Sequence, residues 1–194
     1  MKHTLSILIS ALVLLGAEET HAQTLNVAKQ GDKAVLFNFV GLSALNLNAY
    51  QGGIGGKYFI SDGMAIRAML LFGIDNRTTS GTPQFTDNSL SFGIGGGLEY
   101  HLPVATNISP YFGGTLSLQS SAETTNPGAN RTSTTNFDLG AIGGVEYFFN
   151  QNLSLSAEYQ FGVTSSSSTT SGSPDHSELQ LGFQTAGLTL AAYF

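Results

Sequence analysis

Few side chains in this sequence have the types and spacing that chemistry needs. Asp175-His176-Ser177 sets a carboxylate, an imidazole and a hydroxyl side by side. Those are the residue types of acyl-transfer catalysis, but a working set is defined by geometry in space, not by adjacency in the chain. In a Ser/Thr-rich stretch the triplet reads as composition, and His101, the only other imidazole worth weighing, reads inward near a short turn. Gly52, Gly53, Gly55 and Gly56 resemble a phosphate-binding loop, yet no helix pattern follows and the Lys-Ser/Thr ending is missing. No His, Asp or Glu set has metal-ligand spacing. Cysteine is absent, so there is no disulfide, thiolate site or lipidated N-terminal Cys. Asn107-Ile108-Ser109 is followed by Pro110 and carries no glycosylation signal of use. No cofactor, metal site or catalytic residue is expected. What remains is five charged residues in apolar, glycine-rich surroundings, Lys57, Arg67, Glu99, Glu146 and Glu158. Their chemistry is mutual neutralisation.

The elements that must position them are strands. In Leu153 to Thr164, Leu153, Leu155, Ala157, Tyr159, Phe161 and Val163 share one face, while Ser154, Ser156, Glu158, Gln160, Gly162 and Thr164 share the other. Phe137 to Phe149 alternates in the same way, with Asp138, Gly140, Gly144 and Glu146 on the polar side. A period of two is a strand signal that helical spacing cannot produce. The alternation predicts eight segments, near 34–41, 49–60, 64–74, 89–101, 108–119, 135–149, 153–164 and 178–194. Most reach the roughly 9–11 tilted residues that cross a bilayer.

Connections alternate in kind. Ser61-Asp62-Gly63, 102–107 and Asn150-Gln151-Asn152 are short, with Gly63 placed where a tight hairpin wants a left-handed backbone. The segments 75–88, 120–134 and 165–177 are long and rich in Ser, Thr, Asn, Gly and Pro. They cannot bury a core and are expected to be mobile loops. The connection near 41–48 is poorly defined. Short turns at one end and long loops at the other mark a transmembrane barrel, and an even strand number puts both chain ends on the short-turn side. The expected fold class is all-β: a transmembrane up-and-down antiparallel β-barrel of eight strands.

The apolar face carries two aromatic belts. Tyr50, Phe72, Phe92, Phe137, Phe161 and Phe183 lie toward the long loops; Tyr58, Tyr100, Tyr147, Phe149 and Phe194 lie toward the short turns. Smaller residues such as Ile54, Ala68, Ile94, Leu116 and Ala141 come between. Rings at two heights around an aliphatic band match membrane interfaces. A soluble barrel would put those rings inside. The five charges fall on the opposite, inward face, where a three-residue turn sets Lys57 across from Arg67. Two like charges so placed need carboxylates nearby, which Glu99, Glu146 and Glu158 can supply. An eight-stranded interior is just wide enough for side chains to fill, so this interior charge cluster is expected to plug the lumen, with a selectivity gate as the alternative.

Composition agrees. Only 10% of residues are charged, against about 25% in average proteins. Residues 1–22 read as a signal peptide: Lys2 and His3, the apolar run Leu5 to Gly16, and Thr20-His21-Ala22 before the cut. That run is about a dozen residues, short of the ~20 that span a bilayer. Residues 23–33 would form a short periplasmic segment and 34–194 the barrel. Losing Lys2, Glu18 and Glu19 takes 7 basic and 13 acidic residues to 6 and 11, a net charge of −5. No nucleic-acid partner is expected.

The glycine-aromatic strands Gly93-Ile94-Gly95-Gly96-Gly97-Leu98-Glu99-Tyr100-His101, Tyr111-Phe112-Gly113-Gly114 and Gly140 to Tyr147, with the terminal Ala192-Tyr193-Phe194, resemble the small outer-membrane β-barrel ("porin family") domain of outer membrane proteins A and X. The resemblance covers the whole mature chain. It implies a cell outer membrane location, contact with outer-membrane lipid, and insertion by the barrel-assembly machinery. That machinery reads the last strand, and Tyr193 and Phe194 match its signal. Ala192 departs from the pattern, since an aromatic is common two before the end. The soluble peptidoglycan-binding domain of some relatives is not expected. Leu179, Leu181 and Phe183 differ in parity from Leu188, Leu190 and Phe194, which predicts a bulge near Gln184–Gly187. The function expected is a monomeric, non-enzymatic surface or structural barrel. The alternatives are a narrow porin-like diffusion channel and, behind it, a lipid-A-modifying enzyme. The ligand of the long loops is not identifiable.

Overall fold

The computed structural model describes residues 28–40, 49–79, 85–102, 107–126 and 130–194. Its elements are β1 (Lys33–Val40), β2 (Ala49–Ser61), β3 (Met64–Thr79), β4 (Phe85–His101), β5 (Ile108–Asn126), β6 (Asn130–Asn150), β7 (Leu153–Thr170) and β8 (His176–Tyr193). Each strand pairs antiparallel with the next, and β1 pairs with β8, from Ala34 opposite Tyr193 to Val40 opposite Gly187. That last ladder closes the barrel. Closure leaves the paired backbone no edge, the condition for strands to cross hydrocarbon. The signal peptide expected at 1–22 and the connection near 41–48 lie outside the described residues.

Two short turns are built alike. Ser61 pairs with Met64 and Asn150 with Leu153, and in each the register shifts by one residue just before the turn. The shift leaves Ile60 and Phe149 outside while Phe59 and Phe148 are buried within. Gly63 takes φ +76°, the left-handed value expected of it. Residues 28–32 fold against this end: Gly31 N donates to Phe59 O at 2.9 Å and Gly63 N to Ala28 O at 2.9 Å. Gln30 N also donates to Asp62 Oδ1 at 3.0 Å. In β8 the register against β7 steps at Gln160/Phe161, so that Phe161 faces Phe183 and Thr185 faces Gln160. Gln184 is the extra residue, within the stretch where a bulge reconciles the two parities.

The long loops are a correction. Segments 75–88, 120–134 and 165–177, expected as mobile connections, are largely strand: β3 to β8 continue through most of them, and β6 alone runs 21 residues. The composition argument holds for a core, which these hairpins lack. Extension needs only backbone pairing and cross-strand contacts. Thr132 and Thr170 supply one at 3.0 Å, Thr134 and Ser168 another at 3.2 Å, and Ser166 donates to Asn136.

Outward faces are apolar through the middle of the wall and turn to Ser and Thr above. Arginine at the outward Leu116 should therefore destabilise the barrel by about 2–4 kcal/mol, and at the outward Thr135, above Phe137, by less than about 1 kcal/mol. Urea midpoints followed by circular dichroism in phosphatidylcholine vesicles would check this. Equal effects at both positions would contradict the lipid-facing assignment.

Candidate functional site

Inward residues divide the interior into three levels. Lowest, at the short-turn end, is an apolar layer of Ala34, Leu36, Phe59, Ala65, Phe148, Ala191 and Tyr193. Phe59 and Phe148 each lean on the Tyr193 ring, with centroids 6.4 and 5.7 Å apart. From sequence Tyr193 has a role only as an assembly signal. Its side chain points inward, and that of Phe194 outward.

Above this layer lie the five charged residues. Register places Lys57 opposite Arg67 and Ala65 opposite Glu99. In a ring of eight, β2 stands across the lumen from β6, and β3 from β7. Lys57 Nζ reaches Glu146 Oε2 at 3.1 Å and Glu99 Oε2 at 2.9 Å. Arg67 grips Glu158 through two nitrogens, at 2.7 and 3.0 Å, and meets Glu99 Oε1 at 3.0 Å. Two-pronged guanidinium–carboxylate contact fixes direction as well as charge. Tyr111 Oη donates to Glu158 at 2.9 Å, and Tyr193 Oη to Glu146 at 2.8 Å. Ser154 also donates to Glu146. Room for this comes from glycine: a Cβ on Gly144 would stand 2.6 Å from Tyr111 Cζ.

Sequence reasoning missed the hydroxyls and His101 as members of this layer. His101 is 2% exposed, stacks on Tyr111 at 4.9 Å, and lies 3.0 Å from Glu99 through Nε2. Its Nδ1 is 3.2 Å from Ser109 Oγ. The signal was available in parity, since His101, Glu99 and Ser109 all fall on inward positions. Glu99, His101 and Ser109 thus form a carboxylate–imidazole–hydroxyl line. Asp175, His176 and Ser177 instead lie exposed at the start of β8.

The third level is a polar chamber of about 580 Å³ above the Arg67–Glu158 pair. Asp138 stands in its wall, accepting from Ser117 Oγ at 2.9 Å and Thr164 Oγ1 at 2.6 Å. Among the described residues no metal-binding cluster of His, Cys, Asp and Glu is present.

On the outer wall Phe72, Phe92, Phe137, Phe161 and Phe183 are exposed toward the long hairpins, and Tyr58, Tyr100, Tyr147, Phe149 and Phe194 toward the short turns. The Tyr50 side chain lies outside the described residues. Phe37, Phe39, Phe112 and Tyr159 share the outward face without having been assigned to a belt. Phe112 packs on Tyr100 at 5.4 Å, and Phe161 on Phe183 at 5.4 Å.

A closed eight-stranded barrel with rings and aliphatic side chains outside and paired charges inside is the architecture of an integral outer-membrane protein. The chain belongs to the family of the outer membrane protein beta-barrel domain, whose model matches residues 9–193, and the outer membrane is its location. Among solved structures it is similar to the outer membrane protein OprG of Pseudomonas aeruginosa, at 13% identity over 86% of this chain and 97% of that one, with a TM-score of 0.49. It is also similar to the N-terminal β-barrel domain of Pseudomonas aeruginosa OprF, at 22% identity over 85% and 98%, with a TM-score of 0.45. Neisserial surface protein A aligns at 16% identity over 84% and 92%, with a TM-score of 0.48. No curated protein sequence matches the chain.

Removing one partner from a buried ion pair strands the other charge. Arg67→Met alone and Glu158→Leu alone should each cost about 3–5 kcal/mol. The double replacement should cost clearly less than their sum. Urea midpoints in vesicles measure all three, and additive losses would mean the two side chains do not act as a pair.

Proposed function

We propose that the protein is a non-enzymatic outer-membrane barrel that supports the envelope or presents its hairpins outside, and whose lumen is plugged by its own side chains. It is exported by a cleaved signal peptide, residues 1–22, followed by a short periplasmic segment. It is inserted as a monomer by the barrel-assembly machinery through Tyr193 and Phe194, with outer-membrane lipid against its belts.

One observation carries the plug: the ion pairs Lys57–Glu146 and Arg67–Glu158 cross the lumen directly above the layer of Phe59, Phe148 and Tyr193. An ion on that path would have to break both buried pairs and then pass the Phe59 and Phe148 rings, which offer it no oxygen, at a desolvation cost of several kcal/mol. The reading as a narrow channel requires both levels to move together.

Glu99, His101 and Ser109 do not argue for an enzyme. Ser109 is 3% exposed, and its Oγ lies 3.4 Å from the Leu102 carbonyl, which it donates to. Glu99 is held by Lys57 and Arg67 as well as by His101. A nucleophile needs a space about 3 Å away for the reacting atom and donors for the developing charge. Ser109 does not line the chamber.

Single-channel recording on the protein in planar bilayers decides between plug and channel. The expected trace shows no steady open level. A large, steady conductance that Phe59→Ala leaves unchanged would overturn the plug.

A further inference from the structure

The chamber above the charged level contributes nothing to the plug. Side-chain amides and hydroxyls line it along β5 to β8, among them Gln119, Gln160, Gln180 and Gln184, while Met69, Leu71, Gly95 and Gly96 line the β3–β4 side. Its size is that of a small-molecule site. Two polar atoms facing it are buried yet have no partner within the protein, Thr115 Oγ1 and Gln184 Oε1. Thr115 is 8% exposed and lines the chamber. Buried polar groups are almost always paired, and an orphan calls for an explanation.

The two orphans belong to one built wall. Gln184 is the residue displaced inward by the β8 bulge. Its Nε2 donates to Thr164 Oγ1 at 2.9 Å, and Thr164 donates onward to Asp138, so the amide is held with its oxygen left over. Gly140 keeps the space open, since a Cβ there would stand 2.9 Å from Gln184 Oε1 and 3.1 Å from Gln160 Nε2. The wall therefore holds an unpartnered amide oxygen and hydroxyl, which a small side-chain rotation turns to the chamber, and a carboxylate with acceptor capacity remaining.

Charge selects the ligand class. Asp138 and Glu158 line the chamber, and its cation, Arg67, is occupied by Glu158. An anion finds two carboxylates and no free positive group. A bare cation could meet the oxygens of Asp138 and Gln184, but it offers no acceptor to the Thr115 hydroxyl. An uncharged molecule with several hydroxyls meets every need, because each hydroxyl donates one hydrogen bond and accepts two. We propose that the chamber is a weak binding site for a small neutral polyhydroxylated solute, a sugar or polyol, held by Gln184, Thr115 and Asp138. On the β3 wall above Arg67, Met69 and Leu71 offer apolar contact for the C–H edges of such a ligand.

The test is a titration of the isotope-labelled barrel with sucrose, read from side-chain amide and methyl shifts. The protein is held in lauryldimethylamine oxide, which carries no sugar. Saturable shifts of the Gln184 amide and Thr115 methyl are expected, half-complete in the millimolar range. Gln184→Leu and Thr115→Val should each weaken binding about five-fold, the worth of one hydrogen bond. Thr115→Ser should restore it, and heat-dependent gel mobility shows that each variant is folded. Shifts that rise linearly without saturating, or saturation unaffected by both variants, would overturn the site. Saturation by potassium chloride but not by sucrose would replace it with a cation site. The same shifts in nanodiscs containing lipopolysaccharide and no free sugar would assign the hydroxyls to a lipid headgroup and remove the free solute. A conducting lumen would leave this result untouched, so the plug and the site can fail separately.

Discussion

A closed ladder of main-chain hydrogen bonds governs everything else in this molecule. Once β1 joins β8, each residue's neighbours are settled by register, and each side chain of the spanning wall faces either hydrocarbon or a narrow lumen. The turn at Asp62-Gly63 then forces Lys57 and Arg67 side by side on one wall. Their repulsion cannot be relieved on that wall, because β2 and β3 bring no inward acid beside them. Relief comes from strands four places round the ring, β6 and β7, and from β4 alongside. The ion pairs are thus also cross-braces. They fix which heights of β2 and β3 face which heights of β6 and β7, and a slipped register would separate charges as well as reverse faces.

The bulges serve the same arrangement. Strict alternation would not let Phe59 and Phe148 lie inside while the residues next to them reach the turns in register. One extra residue before each turn resolves this, and the turn-side aromatic Phe149 is left for the interface. The third bulge, at Gln184, does similar work higher up, where it turns Leu179, Leu181 and Phe183 outward again.

Parity is legible in the sequence, and with it the strand number, the two faces, the opposition of Lys57 and Arg67 and the need for a bulge in β8. Those follow from local spacing alone. Across-barrel partners are not legible individually: nothing local says that Arg67 meets Glu158 and not Glu146, because strand tilt and shear decide the heights. His101 reads as inward at the short-turn end, but nothing local ties it to Glu99; Tyr111 escapes a reading that sends aromatic rings mainly outward, though it too has inward parity. The hairpins escape one that treats Ser and Thr as loop residues. Stretches such as Ser165-Ser166-Ser167-Ser168-Thr169-Thr170 have no apolar alternation to detect, yet pair fully once their roots are held in a sheet.

The contrast between Glu99 and Asp138 shows how far the interior changes with height. Glu99, in the charged level, is 1% exposed and is met by Lys57, Arg67 and His101. Asp138 is only half-buried, borders the chamber, and is met by two hydroxyls and no cation among the described residues. A carboxylate removed from water needs opposite charge to offset several kcal/mol of lost hydration, whereas one that stays partly hydrated needs only donors. Pairing follows dryness along the axis of the barrel. Ion pairs sit where the apolar layer adjoins them, and hydroxyls suffice where the chamber admits small polar molecules. An Asp at the height of Glu99, or an unpaired Arg at the height of Phe59, would break that order, and neither occurs among the described residues.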